Sequence, residues 1–269
     1  MTQTVAVLGT GKIGEALLSG MIRAGWRAGD LLVTTRRAER ADKLRTRYGV
    51  EAVTNAEAAK SADILILAVK PQDMGTLLDE LAPYVTSDRL VISAAAGITT
   101  AFIEDRLAER TPVVRVMPNT PVLVDEGMSV ISAGSHATPG HLALAEAIFG
   151  GVGKTLRVPE SQQDAATALS GSGPAYFYFL VEAMTDAGIL LGLPRAQAHE
   201  LIVQAAIGAA VMLRDSGEHP VKLREAVTSP AGTTISAIRE LENHGVRAAL
   251  IAALEAARDR SRELASGNG

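Results

Sequence analysis

Short apolar runs alternate with helical stretches through the first half of the chain, and helical patterning alone fills the second. The β-branched and apolar runs at 4–8, 31–35, 50–53, 63–69, 90–93, 112–117, 127–132 and 154–158 predict strands, and the continuous ones predict strands buried on both faces. Between them, the spacing of Ile13, Ala16, Leu17 and Met21 predicts an amphipathic helix, with further helices over 38–48, 55–60 and 140–149. After Pro159 no strand pattern occurs. The stretches 174–191, 195–213 and 246–264 read as long helices, the first two apolar nearly all round apart from Glu182, Asp186, His199 and Glu200. Helices that apolar require burial on several sides, and a segment this short cannot enclose them alone, so a second subunit is expected to cover them. The pattern predicts an α/β chain, with a Rossmann-like doubly wound sheet over 1–158 followed by an all-α dimerisation domain over 159–269.

The first strand runs into Gly9-Thr10-Gly11-Lys12-Ile13-Gly14, the spacing G-x-G-x-x-G at a strand-to-helix turn. In such a turn Gly9 permits the bend, Gly11 lets the backbone approach a pyrophosphate, and Gly14 lets helix and strand pack closely. The helix start then offers N–H groups and a favourable dipole to the anion. The flanking strand and helix favour dinucleotide binding over an ordinary flexible turn. About 20 residues further on, NAD-binding versions carry an acid for the ribose 2′-hydroxyl; here Thr34, Thr35, Arg36 and Arg37 stand instead. Arginines at a helix start oppose its dipole, a conflict that a bound 2′-phosphate removes.

Strand ends at Gly9, Val69, Ser93 and Met117 fall on small or turn-forming residues, which predicts one crevice at the carboxyl edge of the sheet. Lys70-Pro71 and the small-residue turn Ala94-Ala95-Ala96-Gly97 lie along it, and the prolines of Pro118-Asn119-Thr120-Pro121 prevent a continuing helix.

Composition narrows the chemistry. Of 269 residues, 47% are hydrophobic and 21% charged, the balance of a folded chain, and the formal net charge of −4 offers no general attraction for nucleic acid or anionic membrane. With no cysteine there are no disulfides, thiolate nucleophiles or cysteine metal sites. The five histidines show no metal-ligand spacing, so no metal is expected and each reads as a surface or cap residue. No signal-like segment precedes the first strand and no apolar run approaches bilayer-spanning length, so a cytoplasmic protein is expected.

Two glycine-rich turns punctuate the helical half. Ser170-Gly171-Ser172-Gly173-Pro174 and Thr228-Ser229-Pro230-Ala231-Gly232-Thr233-Thr234 both set hydroxyls ahead of a helix, as an N-cap does. Capping explains one or two hydroxyls, not their density. Free N–H groups at the second turn, joined by the hydroxyls of Thr233 and Thr234, make a carboxylate site.

With both halves read, the chain resembles the pyrroline-5-carboxylate reductase family over nearly its full length. The motifs that carry the resemblance are 9–14, Ala68-Val69-Lys70-Pro71, 93–97, 115–121, 168–176 and 227–234 with Ile235 and Leu241. The last is far more specific than the dinucleotide fingerprint. One departure is Ala231, where family members often carry a second glycine. The resemblance implies NADPH-dependent reduction of a cyclic imine to L-proline, with NADH less preferred, and homodimers or rings of dimers. It implies cofactor contacts from Gly9, Gly11, Lys12, Ile13, Gly14, Thr35, Arg36, Arg37, Asn55, Ala68, Val69, Lys70, Pro71, Ala95 and Gly97. Substrate contacts are implied for Ser229, Gly232, Thr233 and Thr234, with Lys70 and Thr234 in catalytic roles.

Two other readings are set beside this one. A β-hydroxyacid-type NADP-linked dehydrogenase usually needs a catalytic lysine on a helix of the second domain, and 174–191 contains none. A non-enzymatic NADP sensor is separated by an activity assay.

Overall fold

The structure, a computed structural model, describes residues 3–265. Eight strands form one sheet: β1 (Val5–Leu8), β2 (Leu31–Thr34), β3 (Glu51–Ala52), β4 (Ile64–Leu67), β5 (Leu90–Ser93), β6 (Val113–Met117), β7 (Gly127–Ala133) and β8 (Gly153–Arg157). Their order is β3-β2-β1-β4-β5-β6-β7-β8, parallel at every pairing except β6 with β7. The chain winds outward from β1 to β3 and then returns to the other side of β1 as β4. That reversal between β1 and β4 is the switch point at which open α/β sheets bind ligands.

The helices interleaved with these strands are α1 (Lys12–Arg23), α2 (Ala38–Tyr48), α3 (Asn55–Ser61), α4 (Met74–Leu81), α5 (Thr100–Glu104) and α6 (Pro139–Gly150), and α7 (Gln163–Ala166) follows β8. They cover both faces of the sheet because successive strand residues point to opposite sides. Val5 and Val7 pack in one core with Leu17, Leu18 and Met21 of α1 and Phe149 of α6. Ala6 and Leu8 join the other, with Ala58 of α3 and Leu77, Leu78 and Leu81 of α4. Every residue of β1 and β4 is buried, which is why those strands read as unbroken apolar runs.

The remaining helices are α8 (Gly173–Leu190), α9 (Arg195–Ser216), α10 (Pro220–Ala226), α11 (Thr233–Asn243) and α12 (Val246–Ala265). Packing divides the chain into two compact units, one running to Ser172 and resuming at Ala257, the other Gly173–Ala256. Strands end near the expected boundary at 158/159, but the segment that follows still packs on the sheet. Gln163 Nε2 donates to Val130 O and Ser132 Oγ, and the Glu160 carboxylate binds Arg115 and the backbone N–H of Thr100. The end of α12 belongs to the same unit, where Ser261 Oγ donates to Asp164 Oδ1 at 2.7 Å.

Several expectations are corrected. The predicted strand 63–69 narrows to Ile64–Leu67, and the Pro-rich segment after β6 forms a short 3-10 turn, Thr120–Val124. Helices α4, α5 and α10 were not expected, although Met74, Leu77, Leu78 and Leu81 have helical spacing and all four are buried. By length and composition α9 is apolar enough to cross a membrane, with a mean hydropathy of 1.3 over 18 residues. Its alanines, isoleucines and valines outweigh His199, Glu200 and Gln204 in that mean.

Candidate active site

The glycine turn is built as its spacing demands. Gly9 has φ +90°, and a Cβ there would lie 2.7 Å from Val69 Cγ1 and 2.9 Å from the Val69 backbone nitrogen. A Cβ on Gly14 would fall 2.5 Å from Gly9 O, so α1 and β1 meet only without one. Gly11 differs: a Cβ on it would find nothing within 4 Å. Its face is open, which is the opening a pyrophosphate requires, and as N-cap of α1 it leaves the next N–H groups without side-chain acceptors. Lys12 is exposed beside it, and Ile13 packs against the core.

Across the carboxyl edge of β2, Thr34 is buried and its carbonyl accepts from both the backbone N–H and the hydroxyl of Thr10, fixing the glycine turn to β2. Thr35 is half-buried and Arg36 and Arg37 are exposed, with Arg37 as N-cap of α2. Arg40, one turn into α2, donates from Nε to Thr10 O at 3.2 Å and also pairs with Glu15. Partial burial pushes the Glu15 carboxyl upward. Hydrogen bonds from Arg40 and Tyr48, with the charges of Arg40 and Arg47, outweigh it and hold the group below the usual carboxylate range. A charged cleft of about 560 Å³ opens between α1 and α2 beside this cluster, but it contains none of the expected site residues.

The other expected cofactor residues share the carboxyl edge of the sheet. Asn55 opens α3 and donates from Nδ2 to Glu80 Oε2 at 2.9 Å, while Thr54 and Glu57 close the capping box around that helix start. Ala68 still pairs with β1 through Leu8 O, and Val69 walls Gly9. Lys70 is exposed and makes no ion pair among the described residues; Pro71 begins a 3-10 turn that ends at Asp73. Ala95 is buried beyond β5, and Gly97 (φ +72°) lies against Leu264 and Ala265 at the end of α12. Gly9, Ala68 and Ser93 thus bring small residues to the carboxyl ends of β1, β4 and β5 at the switch point, with the exposed cations Lys12, Arg36, Arg37 and Lys70 on the same edge.

In the Ser170 turn the Ser170 hydroxyl is a donor to the preceding turn and not the cap acceptor its position suggests. Thr167–Gly171 is a π-helical turn in which Ser172 N–H donates to Thr167 O and Ser170 Oγ donates back to Ala166 O. Asn119 holds it, donating from Nδ2 to Ser170 O while its Oδ1 accepts from Met128 N. Asn119 falls within the 115–121 motif without a role of its own, and Asp73 belongs to no motif. Their partners are distant in the chain, so no local spacing reveals them.

In the second unit, Gly232 N–H donates to Ser229 O at 3.1 Å, closing a turn with Pro230 second and Ala231 third at φ +56°. Proline followed by a positive φ is the pattern of a type II turn. Gly232, not a threonine, is the N-cap of α11. Thr233 and Thr234 occupy the first two helical positions, and neither hydroxyl makes a hydrogen bond among the described residues. The N–H groups of the first three helical residues have no intrahelical acceptor. Hydroxyls and N–H groups therefore converge on one helix start with the polarity that binds a carboxylate. Among the described residues no group of three or more histidine or acidic side chains could hold a metal.

A doubly wound sheet with a bare glycine turn at its switch point, followed by a helical unit with an anion-ready helix start, defines a dinucleotide-dependent oxidoreductase. The family described as pyrroline-5-carboxylate reductase dimerisation matches residues 160–264, and that described as NADP oxidoreductase, coenzyme F420-dependent, matches 4–97. A pyrroline-5-carboxylate reductase of Corynebacterium melassecola is 46% identical over 97% of this chain and 98% of its own length. The chain belongs to the pyrroline-5-carboxylate reductase family. Among solved structures, the Coxiella burnetii pyrroline-5-carboxylate reductase superposes with a TM-score of 0.93 at 37% identity, over 98% of this chain and 99% of that one. The Plasmodium falciparum enzyme, solved with NADP bound, gives 0.86 at 29% identity, over 98% of each chain.

Proposed function

We propose that this chain reduces L-1-pyrroline-5-carboxylate to L-proline, the last step of proline biosynthesis, with NADPH preferred to NADH. One imine, one hydride and one proton give the ring amine. The dinucleotide, when bound, supplies the hydride. A protonated imine carbon is already electrophilic, so the residues need only bind, orient and exclude water.

In this reading residues 1–158 hold the cofactor and 159–269 hold the substrate and the partner subunit. Gly9, Gly11, Lys12, Ile13 and Gly14 bind the pyrophosphate, and Thr35, Arg36 and Arg37 bind the ribose 2′-phosphate. Asn55, Ala68, Val69, Pro71, Ala95 and Gly97 line the remaining contact, with Lys70 seating the nicotinamide end. Ser229, Gly232, Thr233 and Thr234 receive the substrate carboxylate, and the Thr234 hydroxyl bonds the imine nitrogen. A threonine hydroxyl is a poor acid near neutral pH, so its role is positioning. The exposed apolar sides of α8 and α9 bury against a second copy, giving a homodimer or a ring of dimers in the cytoplasm.

The observation that carries the substrate assignment is that Gly232 takes the N-cap of α11, leaving the Thr233 and Thr234 hydroxyls uncommitted. The test is consumption of NADPH by the purified full-length protein on addition of pyrroline-5-carboxylate, with proline quantified. Equimolar proline and NADP⁺ are expected. Tight NADPH binding without turnover would leave a nucleotide sensor instead.

A further inference from the structure

Arg36 does not stand free at the proposed 2′-phosphate site. Its Nη2 lies 3.3 Å from Oδ2 of Asp73, in the turn that follows β4. Because β1 lies between β2 and β4 in the sheet, this pair spans the strand that carries the glycine turn. Asp73 is also the N-cap of α4, yet its side chain makes no cap hydrogen bond. An aspartate in that position ordinarily accepts from the next turn's N–H groups; here the carboxylate turns to the guanidinium. The neighbouring arginines are disposed differently. Arg40 is committed to Glu15 and Thr10 O, whereas the Arg37 side chain has no hydrogen-bond or ion-pair partner among the described residues.

We propose that Asp73 is a specificity-determining residue that competes with the ribose 2′-phosphate for Arg36 and so limits the preference for phosphorylated dinucleotides. This rests on the reading of Arg36 as a 2′-phosphate contact. Arg36 is 86% exposed, so releasing it demands little desolvation and the phosphate prevails. The phosphate nevertheless meets a cation already partly neutralised, with a carboxylate beside it. A cofactor without the 2′-phosphate leaves the pair intact. Asp73 thus subtracts from binding of the phosphorylated form alone.

The test is calorimetric titration of the full-length protein with 2′,5′-ADP and with 5′-ADP as probes. Asp73→Asn, which preserves shape and capping ability, is expected to tighten 2′,5′-ADP binding about two- to fivefold and to leave 5′-ADP unchanged, the gain shrinking at high salt. Asp73→Glu, which retains the charge, is expected to bind both probes as wild type does. Arg36→Ala is expected to weaken 2′,5′-ADP selectively and to abolish the gain when combined with Asp73→Asn. An unchanged or weakened 2′,5′-ADP affinity in Asp73→Asn, or an equal gain for both probes, overturns the proposal while leaving the site at Arg36 intact. If Arg36→Ala weakens neither probe selectively, the phosphate site itself is elsewhere and the proposal falls with it.

Discussion

Ser229 and Gly232 approach so closely that a Cβ on Gly232 would lie 2.3 Å from Ser229 Oγ and 3.2 Å from Ser229 O. The turn that presents the α11 helix start therefore leaves a Cβ at residue 232 no room unless the Ser229 side chain rotates and its carbonyl shifts. Gly232→Ala is expected to push the Ser229 hydroxyl aside and open the turn by a few tenths of an ångström. In reacting groups that depend on orientation, such a displacement lowers kcat/KM for the imine roughly tenfold. NADPH affinity by fluorescence titration is expected to stay unchanged, because the cofactor residues lie outside this turn.

Ala231, next to it, holds φ +56°, a left-handed conformation that disfavours any side chain. The penalty is about 1–2 kcal/mol, and glycine gives back about 0.4–1 kcal/mol through its freer unfolded chain. Ala231→Gly is therefore expected to raise stability by roughly 0.5 kcal/mol in urea denaturation, with activity retained. A loss of stability would show that the turn carries no strain at Ala231.

The second unit leaves unusually large apolar groups uncovered within one chain. Phe177 and Phe179 on α8 are 66% and 68% exposed, and Leu190 and Leu191 are 89% and 84% exposed. Such surface is characteristic of an interface. Light scattering at low micromolar concentration is expected to give a dimer or a multiple of it, and Phe179→Asp to give smaller species or insoluble protein. A stable, folded wild-type monomer would contradict the burial argument.

The parts of the fold that were legible in the sequence are those fixed by local chemistry. β1 and β4 announce themselves because burial on both faces demands unbroken apolar runs, and the glycine turn because Gly9 and Gly14 tolerate no side chain. Helix α4 has regular apolar spacing at Met74, Leu77, Leu78 and Leu81, but its 8 residues are too few for periodicity alone to separate a helix from an apolar loop. The hydroxyls of Ser170 and Thr234 look alike in sequence, ahead of a helix. Ser170 bonds back along its own helix, whereas Thr234 has no such partner, and only three-dimensional structure separates them. Asp73 and Asn119 act on residues far along the chain, and spacing carries no trace of that.

The cluster around Glu15 makes stability respond to acid. Its folded pKa is depressed below 4.5, so the unfolded chain binds the proton first as pH falls. The contribution is fully present above about pH 4.5 and is lost progressively as pH drops through the depressed folded value. Glu15→Gln is expected to be less stable than wild type at neutral pH, with the difference narrowing below that point in denaturation curves. A gap independent of pH would assign the cluster a packing role alone.

Thr234 separates positioning from helix capping most sharply. Gly232 already occupies the N-cap of α11, so the Thr234 hydroxyl satisfies no helix N–H. Removing it should then cost the fold little, less than the roughly 1 kcal/mol of a lost cap. If it meets the imine nitrogen as that atom becomes an amine, its contribution belongs to the transition state, and its loss lowers kcat as well as kcat/KM. Valine keeps the branched shape and removes only the hydroxyl. Thr234→Val is therefore expected to melt within a degree or two of wild type, to bind NADPH with near-normal affinity, and to reduce pyrroline-5-carboxylate roughly tenfold more slowly, the scale of one hydrogen bond in a desolvated site. Thr234→Ser, which restores the hydroxyl without the methyl, should recover most of that rate. Full turnover in well-folded Thr234→Val would transfer the substrate contact to the backbone N–H groups of the helix start.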